Sequence, residues 1–142
     1  MALRIEMLTP ARVEELWTDL EPLFDVSCKS NPVGETDITS QIIYDLTQSD
    51  QAVIFAAFNE HKVTTVMAIQ FTDTYGRKGV DIIALAGRNL LRFKAAFWQP
   101  ILDWFKANNV EFVSAYGTPE LARMYMKKFG FNLSCTYVRM VL

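Results

Sequence analysis

The stretch TPELARMYMKKFGF, residues 118–131, defines a helix together with both of its ends. Thr118 is a residue type that caps helix N-termini with its hydroxyl, and Pro119 suits the first helical position because its missing N–H would have no acceptor there. Apolar residues follow at helical spacing, and Gly130 is the residue type that ends a helix in the left-handed conformation. The stretch therefore predicts a short amphipathic helix that ends before Gly130, followed by a closing strand over residues 131–142.

Upstream of this helix, the chain changes repeatedly between strand-like and helix-like patterns. Residues 80–86 are almost wholly apolar, as in a strand that is covered on both faces. A helix opens at Thr9-Pro10 and is limited or kinked at Pro22. The other predicted elements are a strand at 3–7, a helix at 37–47, strands at 51–58 and 62–71, a long helix at about 89–107 and a strand at 110–116. This order predicts an α/β fold of the layered α+β type.

Composition narrows the class of protein. The chain has 142 residues, of which 51% are hydrophobic and 21% charged, so we expect one folded domain over residues 1–142. A net charge of −2 gives no electrostatic reason to expect nucleic acid or an anionic membrane as a partner. No apolar run approaches the roughly 18–20 residues of a membrane span, and the N-terminus has no apolar signal core.

The sequence offers few residues for metal or redox chemistry. Cys28 and Cys135 are too few and too far apart for a disulfide framework, which predicts reduced thiols in the cytoplasm. His61 is the only histidine and lies in a polar turn. We therefore expect no metal site and no histidine-based catalytic triad.

The element order and the motif ARMYMKKFGF, residues 122–131, resemble the GNAT superfamily of acyltransferases. The resemblance implies a GNAT-like fold, in which helices cover both faces of a central mixed, mostly antiparallel sheet. It also implies acetyl-coenzyme A as the cofactor of an active enzyme. Tyr125 matches the family tyrosine that can protonate the departing thiolate, and the alternative is a core tyrosine packed on the sheet. Thr118 stands where the family often has asparagine.

The resemblance places the coenzyme A pyrophosphate at AGRNLLRFKAA, residues 86–96, where the family has a glycine-rich loop and a helix N-terminus. This chain has one glycine there and large side chains at Leu90, Leu91 and Phe93, so the sequence predicts a degenerate cofactor site. The candidate cofactor-binding residues are Gly87, Arg88, Asn89, Arg92 and Lys94. Their cations could hold a phosphate through side chains, form a solvated basic face, or contact another protein.

A general base is not evident. Asp81 and Glu111 stand near strand starts, away from the expected reactive centre. Ser114 and Tyr116 alternate onto one face of their strand, where they could touch a substrate. For all four residues, a solvated or packed side chain is the simpler interpretation.

Aromatic residues crowd the long helix, which Pro100 interrupts. If some of the rings are exposed, they predict a protein partner or self-association through this helix. The alternative is a fully covered core helix. The aromatic residues are Phe93, Phe97, Trp98, Trp104 and Phe105.

Two hypotheses of function follow from these patterns. The first is a noncatalytic GNAT-like protein with a structural or protein-binding role. Such a degenerate protein resembles small accessory or internal virion proteins of short-tailed bacteriophages, which would place it in the virion. The second is an active N-acetyltransferase that moves an acetyl group from acetyl-coenzyme A to an amine.

Overall fold

The computed structural model describes residues 3–28 and 36–142. Its five strands form one sheet in the order β1-β2-β3-β4-β5, in which β4 and β5 are parallel and all other neighbours are antiparallel. The predicted mixed, mostly antiparallel sheet is confirmed. The elements are β1 (Leu3–Leu8), α1 (Pro10–Ser27), α2 (Ser40–Gln48), β2 (Ala52–Asn59), β3 (Lys62–Thr74), β4 (Arg77–Gly87), α3 (Leu90–Ala107), β5 (Phe112–Ala115) and α4 (Pro119–Lys128).

Threonine hydroxyls begin three of these helices. Thr9 caps α1 and Thr118 caps α4, as predicted, by accepting hydrogen bonds from backbone amides at 3.2 and 3.3 Å. Thr39 caps α2 in the same way. Helix α2 therefore starts three residues later than the sequence pattern indicated.

The C-terminal end of α4 follows the predicted geometry. Gly130 has a φ of +77°, in the left-handed region. The amides of Phe129 and Phe131 both donate to the carbonyl of Tyr125, at 3.0 and 3.2 Å. Both bonds therefore satisfy one carbonyl of the last helical turn, that of Tyr125.

Helix α1 continues past Pro22 to Ser27, so of the two predicted alternatives the one in which proline ends the helix was wrong, and a kink stays a prediction. Leu20 and Phe24, on either side of the proline, are completely buried. Burial of these side chains holds the helical backbone on the sheet, which offsets the hydrogen bond that proline removes.

Two apolar layers cover the two faces of the sheet. The layer under α1 and α2 includes Leu8, Val13, Leu20, Phe24, Ile43, Ile54, Phe58 and Val66. The layer under α3 and α4 includes Phe55, Met67, Ile69, Val80, Ile82, Phe93, Phe97, Trp98, Phe105 and Tyr125. Helices on both faces were predicted, and the buried strands β2, β3 and β4 explain the apolar runs in the sequence.

A bulge interrupts the pairing of β4 with β3, close to the point where the pairing of β4 with β5 ends. Ala84 pairs with Ala68 and Ile82 pairs with Ile69, which leaves Ile83 as an extra residue of β4. A bulge bends its strand and increases its twist. The pairing between β4 and β5 ends at this point, with Ile82 opposite Ala115 as the last pair. Residues 83–87 therefore lack a strand partner on the β5 side, and this unpaired side of β4 is the opening between β4 and β5.

The predicted closing strand was wrong. Residues 131–142 form no strand with any described residue, and β5 remains an edge of the sheet. Instead, the Arg139 guanidinium donates to the Asp37 carboxylate, which precedes α2, at 2.6 Å. The sequence predicted a strand in this segment. Strand pairing, however, also depends on which neighbouring strand the rest of the fold places beside it. Within the described ranges, no helix has the length and apolar character needed to cross a membrane.

Candidate functional site

The loop between β4 and α3 lies beside the opening between β4 and β5. Gly87 has a φ of +140°, and a side chain there would collide with the backbone of Thr64. The Arg88 amide donates to the Thr64 carbonyl, and the Thr65 hydroxyl donates to the Arg88 carbonyl, both at 2.9 Å. The loop is therefore tied to β3 through its backbone.

The N-terminus of α3 differs from those of the other helices. Asn89 has a φ of +58°, and its side chain makes no capping hydrogen bond. The amides of Leu90 and Leu91 have no acceptor within the helix because they belong to its first turn. The Leu91 side chain is 57% exposed, whereas Phe93 is 2% exposed and belongs to the core. Leu91 thus points to solvent and Phe93 to the core, so these two side chains do not fill a shared cradle, and Leu90 is half-buried.

A pocket of about 750 Å³ lies at the same end of the sheet. Of the predicted cofactor-binding residues, Arg88, Asn89 and Arg92 line it, whereas Gly87 and Lys94 do not. The remaining walls come from α1, β1 and the β2–β3 hairpin, and include Asp19, Pro22, Leu23, Asn59, Glu60, His61 and Lys62. No lining residue belongs to β5 or α4. The structure therefore brings the two arginines together, but on the β2–β3 side of the loop.

Tyr125 is buried in the layer under α3 and α4 and does not line this pocket. Its ring packs against Phe131 and Phe129, with centroids 5.2 and 5.8 Å away. Its hydroxyl has no hydrogen-bond partner in the described part of the chain. Burial raises the pKa of Tyr125 to about 12, because the phenolate loses its hydration. The phenol thus stays protonated at neutral pH, so it can donate a proton but cannot act as a base.

We expect this pKa to appear in the pH dependence of stability. The folded pKa lies above the ordinary value of 10, so the folded chain holds its proton more tightly than the unfolded chain. The resulting stability is complete below pH 10 and is lost as the pH rises through 12, by an amount on the order of 3 kcal/mol. Urea unfolding of the wild type and Tyr125→Phe across this range measures it, since only the wild type carries this loss. A Tyr125 that ionises together with the four other tyrosines in an ultraviolet titration would contradict it.

Asp81 lies closer to the opening than its sequence position indicated. It pairs with Ser114, one residue before the last pair of β4 and β5. Val80 and Ile82 face the α3–α4 layer, so alternation places Asp81 on the α1–α2 face. Its carboxyl is half-buried, and desolvation raises its pKa. An acidic residue inside the apolar strand VDIIALA was the available signal, but the register against β5 that positions it cannot be read from the pattern.

The other polar candidates lie elsewhere. Glu111 is more than half exposed and forms a 3.7 Å ion pair with Arg77. Tyr116 is largely exposed, whereas Ser114 is half-buried opposite Asp81. Across residues 3–28 and 36–142, no cluster of three acidic, histidine or cysteine side chains is placed to hold a metal ion.

The aromatic side chains of α3 lie in the core, so the covered-helix alternative applies to them. Trp104 is half-buried and packs on Phe55 and Phe71, with centroids 5.5 and 6.0 Å away. The other four rings are buried: Phe93, Phe97, Trp98 and Phe105. A protein partner stays a prediction, and it would have to use a surface other than these rings.

The sequence matches no protein-family model, and a search of curated proteins finds no relative. Solved structures do match. An aminoglycoside acetyltransferase from an uncultured soil metagenomic sample is 17% identical, with a TM-score of 0.70 over 100% of this chain and 99% of that chain. An aminoglycoside 6'-N-acetyltransferase from Acinetobacter baumannii is 10% identical, with a TM-score of 0.72 over 99% of both chains. A GNAT family acetyltransferase from Staphylococcus aureus is 14% identical, with a TM-score of 0.64 over 100% of both chains.

These matches extend over the whole chain, while their sequence identities are low. They agree with the mixed five-stranded sheet and the four helices described above. The resemblance to GNAT acyltransferases is confirmed at the level of the fold: the chain has the GNAT fold.

Proposed function

We propose that this protein is a noncatalytic GNAT-fold protein with a degenerate coenzyme A site, which acts by binding another protein. The observation that carries the proposal is the position of the predicted phosphate-binding cations. Arg88 and Arg92 line a pocket whose other walls come from β1, α1 and the β2–β3 hairpin. No residue of β5 lines this pocket. Association with a phage virion is the setting that the sequence resemblance favours.

The chemistry of pyrophosphate binding supports this proposal. A pyrophosphate needs several free backbone amides, together with cations that converge on its oxygens. Here the Arg88 amide is already bonded to the Thr64 carbonyl. The carboxylates of Asp19 and Glu60 share the pocket with Arg88, Arg92 and Lys62 and would offset part of their attraction for an anion. The amides of Leu90 and Leu91 remain available, but the cations and carboxylates share a pocket that β5 does not line, which favours a degenerate site.

The surface of the chain supports a binding role. Apolar side chains of residues 131–142 are largely exposed, although this part of the sequence is apolar enough to form a buried strand. Exposed apolar patches on folded proteins often mark contacts with partners. A protein-binding role explains why these side chains are left in water.

We expect acetyl-coenzyme A at near-millimolar concentration to leave the melting temperature unchanged and to produce no heat in calorimetry. A ligand at 100 times its dissociation constant stabilises a protein by about 2.7 kcal/mol, so real binding would be readily detected. The aminoglycoside 6'-N-acetyltransferase from Acinetobacter baumannii, titrated in parallel, serves as a positive control for the cofactor preparation. Micromolar binding that is lost in Arg88→Ala/Arg92→Ala would contradict the proposal.

An N-acetyltransferase is the second candidate, because the half-buried Asp81 lies beside the opening between β4 and β5. A carboxylate with a raised pKa is suited to take a proton from an amine, and the protonated Tyr125 is suited to donate one. The structural neighbours are acetyltransferases, which agrees with this candidate. It predicts transfer of acetyl groups to amines that Asp81→Asn abolishes and Glu111→Gln leaves intact. Absence of transfer with any amine, together with absence of coenzyme A binding, would exclude it.

A further inference from the structure

The pocket of about 750 Å³ is lined by charged side chains of both signs. Asp19 of α1 and Glu60 of the β2–β3 turn bring carboxylates to it, and Lys62 and Arg88 bring cations. Within the described part of the chain, none of these four side chains forms an ion pair or a hydrogen bond. Opposite charges thus share one pocket without neutralising each other, and all four are available to a ligand.

Asn59 adds a hydrogen-bond acceptor to the same wall. It ends β2, where it pairs with Leu3 of β1 and with Lys62 of β3. Its Oδ1 atom is shielded from solvent and accepts no hydrogen bond from any residue that the structure describes. A shielded acceptor without a partner is unfavourable, and the last torsion of an asparagine side chain is soft. A donor in the pocket would therefore give this oxygen the bond that the fold leaves unmade.

The remaining wall is largely apolar. Pockets that bind small molecules combine such a wall with a few polar groups that orient the ligand, and about 300–1,000 Å³ is their usual volume. The matching ligand has an apolar portion beside its charged groups. The apolar lining residues are Leu3, Pro22, Leu23, Ala57, Val63 and Phe93.

We propose that this pocket binds a small zwitterion, an α-amino acid or a short peptide that carries a free ammonium, a free carboxylate and an apolar side chain. The ligand carboxylate accepts hydrogen bonds from Lys62 and Arg88. The ammonium donates to the carboxylates of Asp19 and Glu60, and to the Asn59 oxygen. The apolar side chain of the ligand packs on the apolar wall.

The charges of the wall favour a zwitterion over an ion of one sign. A simple anion would approach two carboxylates, and a simple cation would approach Lys62, Arg88 and Arg92. A molecule with both charges can place each of them beside the opposite charge of the protein, and this discriminates against ligands that carry only one.

This site differs from both functions considered above. Asp81 and Tyr125 do not line the pocket, so the ligand lies away from the groups suited to acetyl transfer. An ammonium held by carboxylates also keeps its proton and is therefore not a nucleophile. Binding of the zwitterion depends neither on the noncatalytic proposal nor on its alternative.

His61 provides a site-specific test on the full chain, because it lines the pocket and is the only histidine of the sequence. Its imidazole proton resonances can be followed by NMR at constant pH during titration with L-leucine and with L-leucyl-L-leucine. We expect saturable shifts at millimolar concentration, and the tighter probe identifies an amino acid or a peptide as the ligand. Isoamylamine lacks the carboxylate of leucine and isocaproate lacks its ammonium, so each should bind at least about tenfold more weakly.

Charge-neutral variants test the proposed contacts. Arg88→Gln and Glu60→Gln should each weaken binding of the zwitterion by about 10- to 100-fold, since each removes a hydrogen bond between charged groups. Arg77→Gln and Glu111→Gln are the matched controls, because they remove the same charges from an ion pair outside the pocket. Their affinities should equal that of the wild type.

The inference is overturned if neither probe shifts the His61 resonances saturably. Equal binding of leucine and of either single-charge analogue would also overturn it, as would an unchanged affinity in Arg88→Gln. None of these titrations contains coenzyme A, so a negative result leaves the noncatalytic proposal standing, and acetyl-coenzyme A binding leaves this inference standing.

Discussion

Phe93→Ala should lower the free energy of unfolding by about 3–5 kcal/mol, the usual cost of removing a buried aromatic ring. Phe93 is 2% exposed, and its ring contacts Phe97 with centroids 5.7 Å apart. The substitution leaves a cavity between the first turn of α3 and the sheet, which the surrounding backbone cannot close. Urea denaturation followed by circular dichroism measures the loss.

Leu91→Ala is the matched control for this prediction. Leu91 lies two residues before Phe93 in the same turn, but its side chain is 57% exposed. We expect its free energy of unfolding to stay within about 0.5 kcal/mol of the wild type. Comparable losses for the two variants would mean that Leu91 packs against another part of the protein, and would revive the interpretation of large side chains that fill a cradle.

Local signals in the sequence were sufficient for most of the fold. The Thr-Pro pairs at residues 9–10 and 118–119 and the glycine at 130 act through hydrogen bonds within one turn, so a pattern of a few residues specifies them. The same is true of the apolar strand at 80–86, whose burial on both faces follows from its composition alone.

Features that depend on distant residues were not predictable. The bulge at Ile83 is defined by its register against β3, and the position of Asp81 beside the opening is defined by its register against β5. The pocket that Arg88 and Arg92 line is built from five elements, β1, α1, β2, β3 and α3, most of which are far apart along the chain. The segment 131–142 shows the same limit, because a strand was predicted there from the sequence, whereas a strand also needs a neighbour that no local pattern specifies.

Gly87→Ala should destabilise the chain by roughly 3–5 kcal/mol, through backbone strain together with overpacking. Gly87 has a φ of +140°, which residues with a side chain rarely adopt, and a Cβ there would collide with the Thr64 carbonyl and with Thr65. Because the colliding atoms are backbone, β3 would have to move, and the bond from the Arg88 amide to Thr64 would break. Thermal unfolding of the variant measures the effect.

Gly76→Ala separates the two causes. Gly76 also has a positive φ, of +83°, but a Cβ there would meet no atom within 4 Å. We expect it to cost only about 1 kcal/mol, the strain of a left-handed residue. A much larger loss of stability in Gly87→Ala than in Gly76→Ala would mean that packing against β3 is sufficient to explain the glycine in the loop, without a phosphate ligand. Equal losses of stability at the two positions would mean that β3 can move to make room for a side chain at residue 87. The hydrogen bond between the Arg88 amide and the Thr64 carbonyl would then no longer account for the orientation of Arg88.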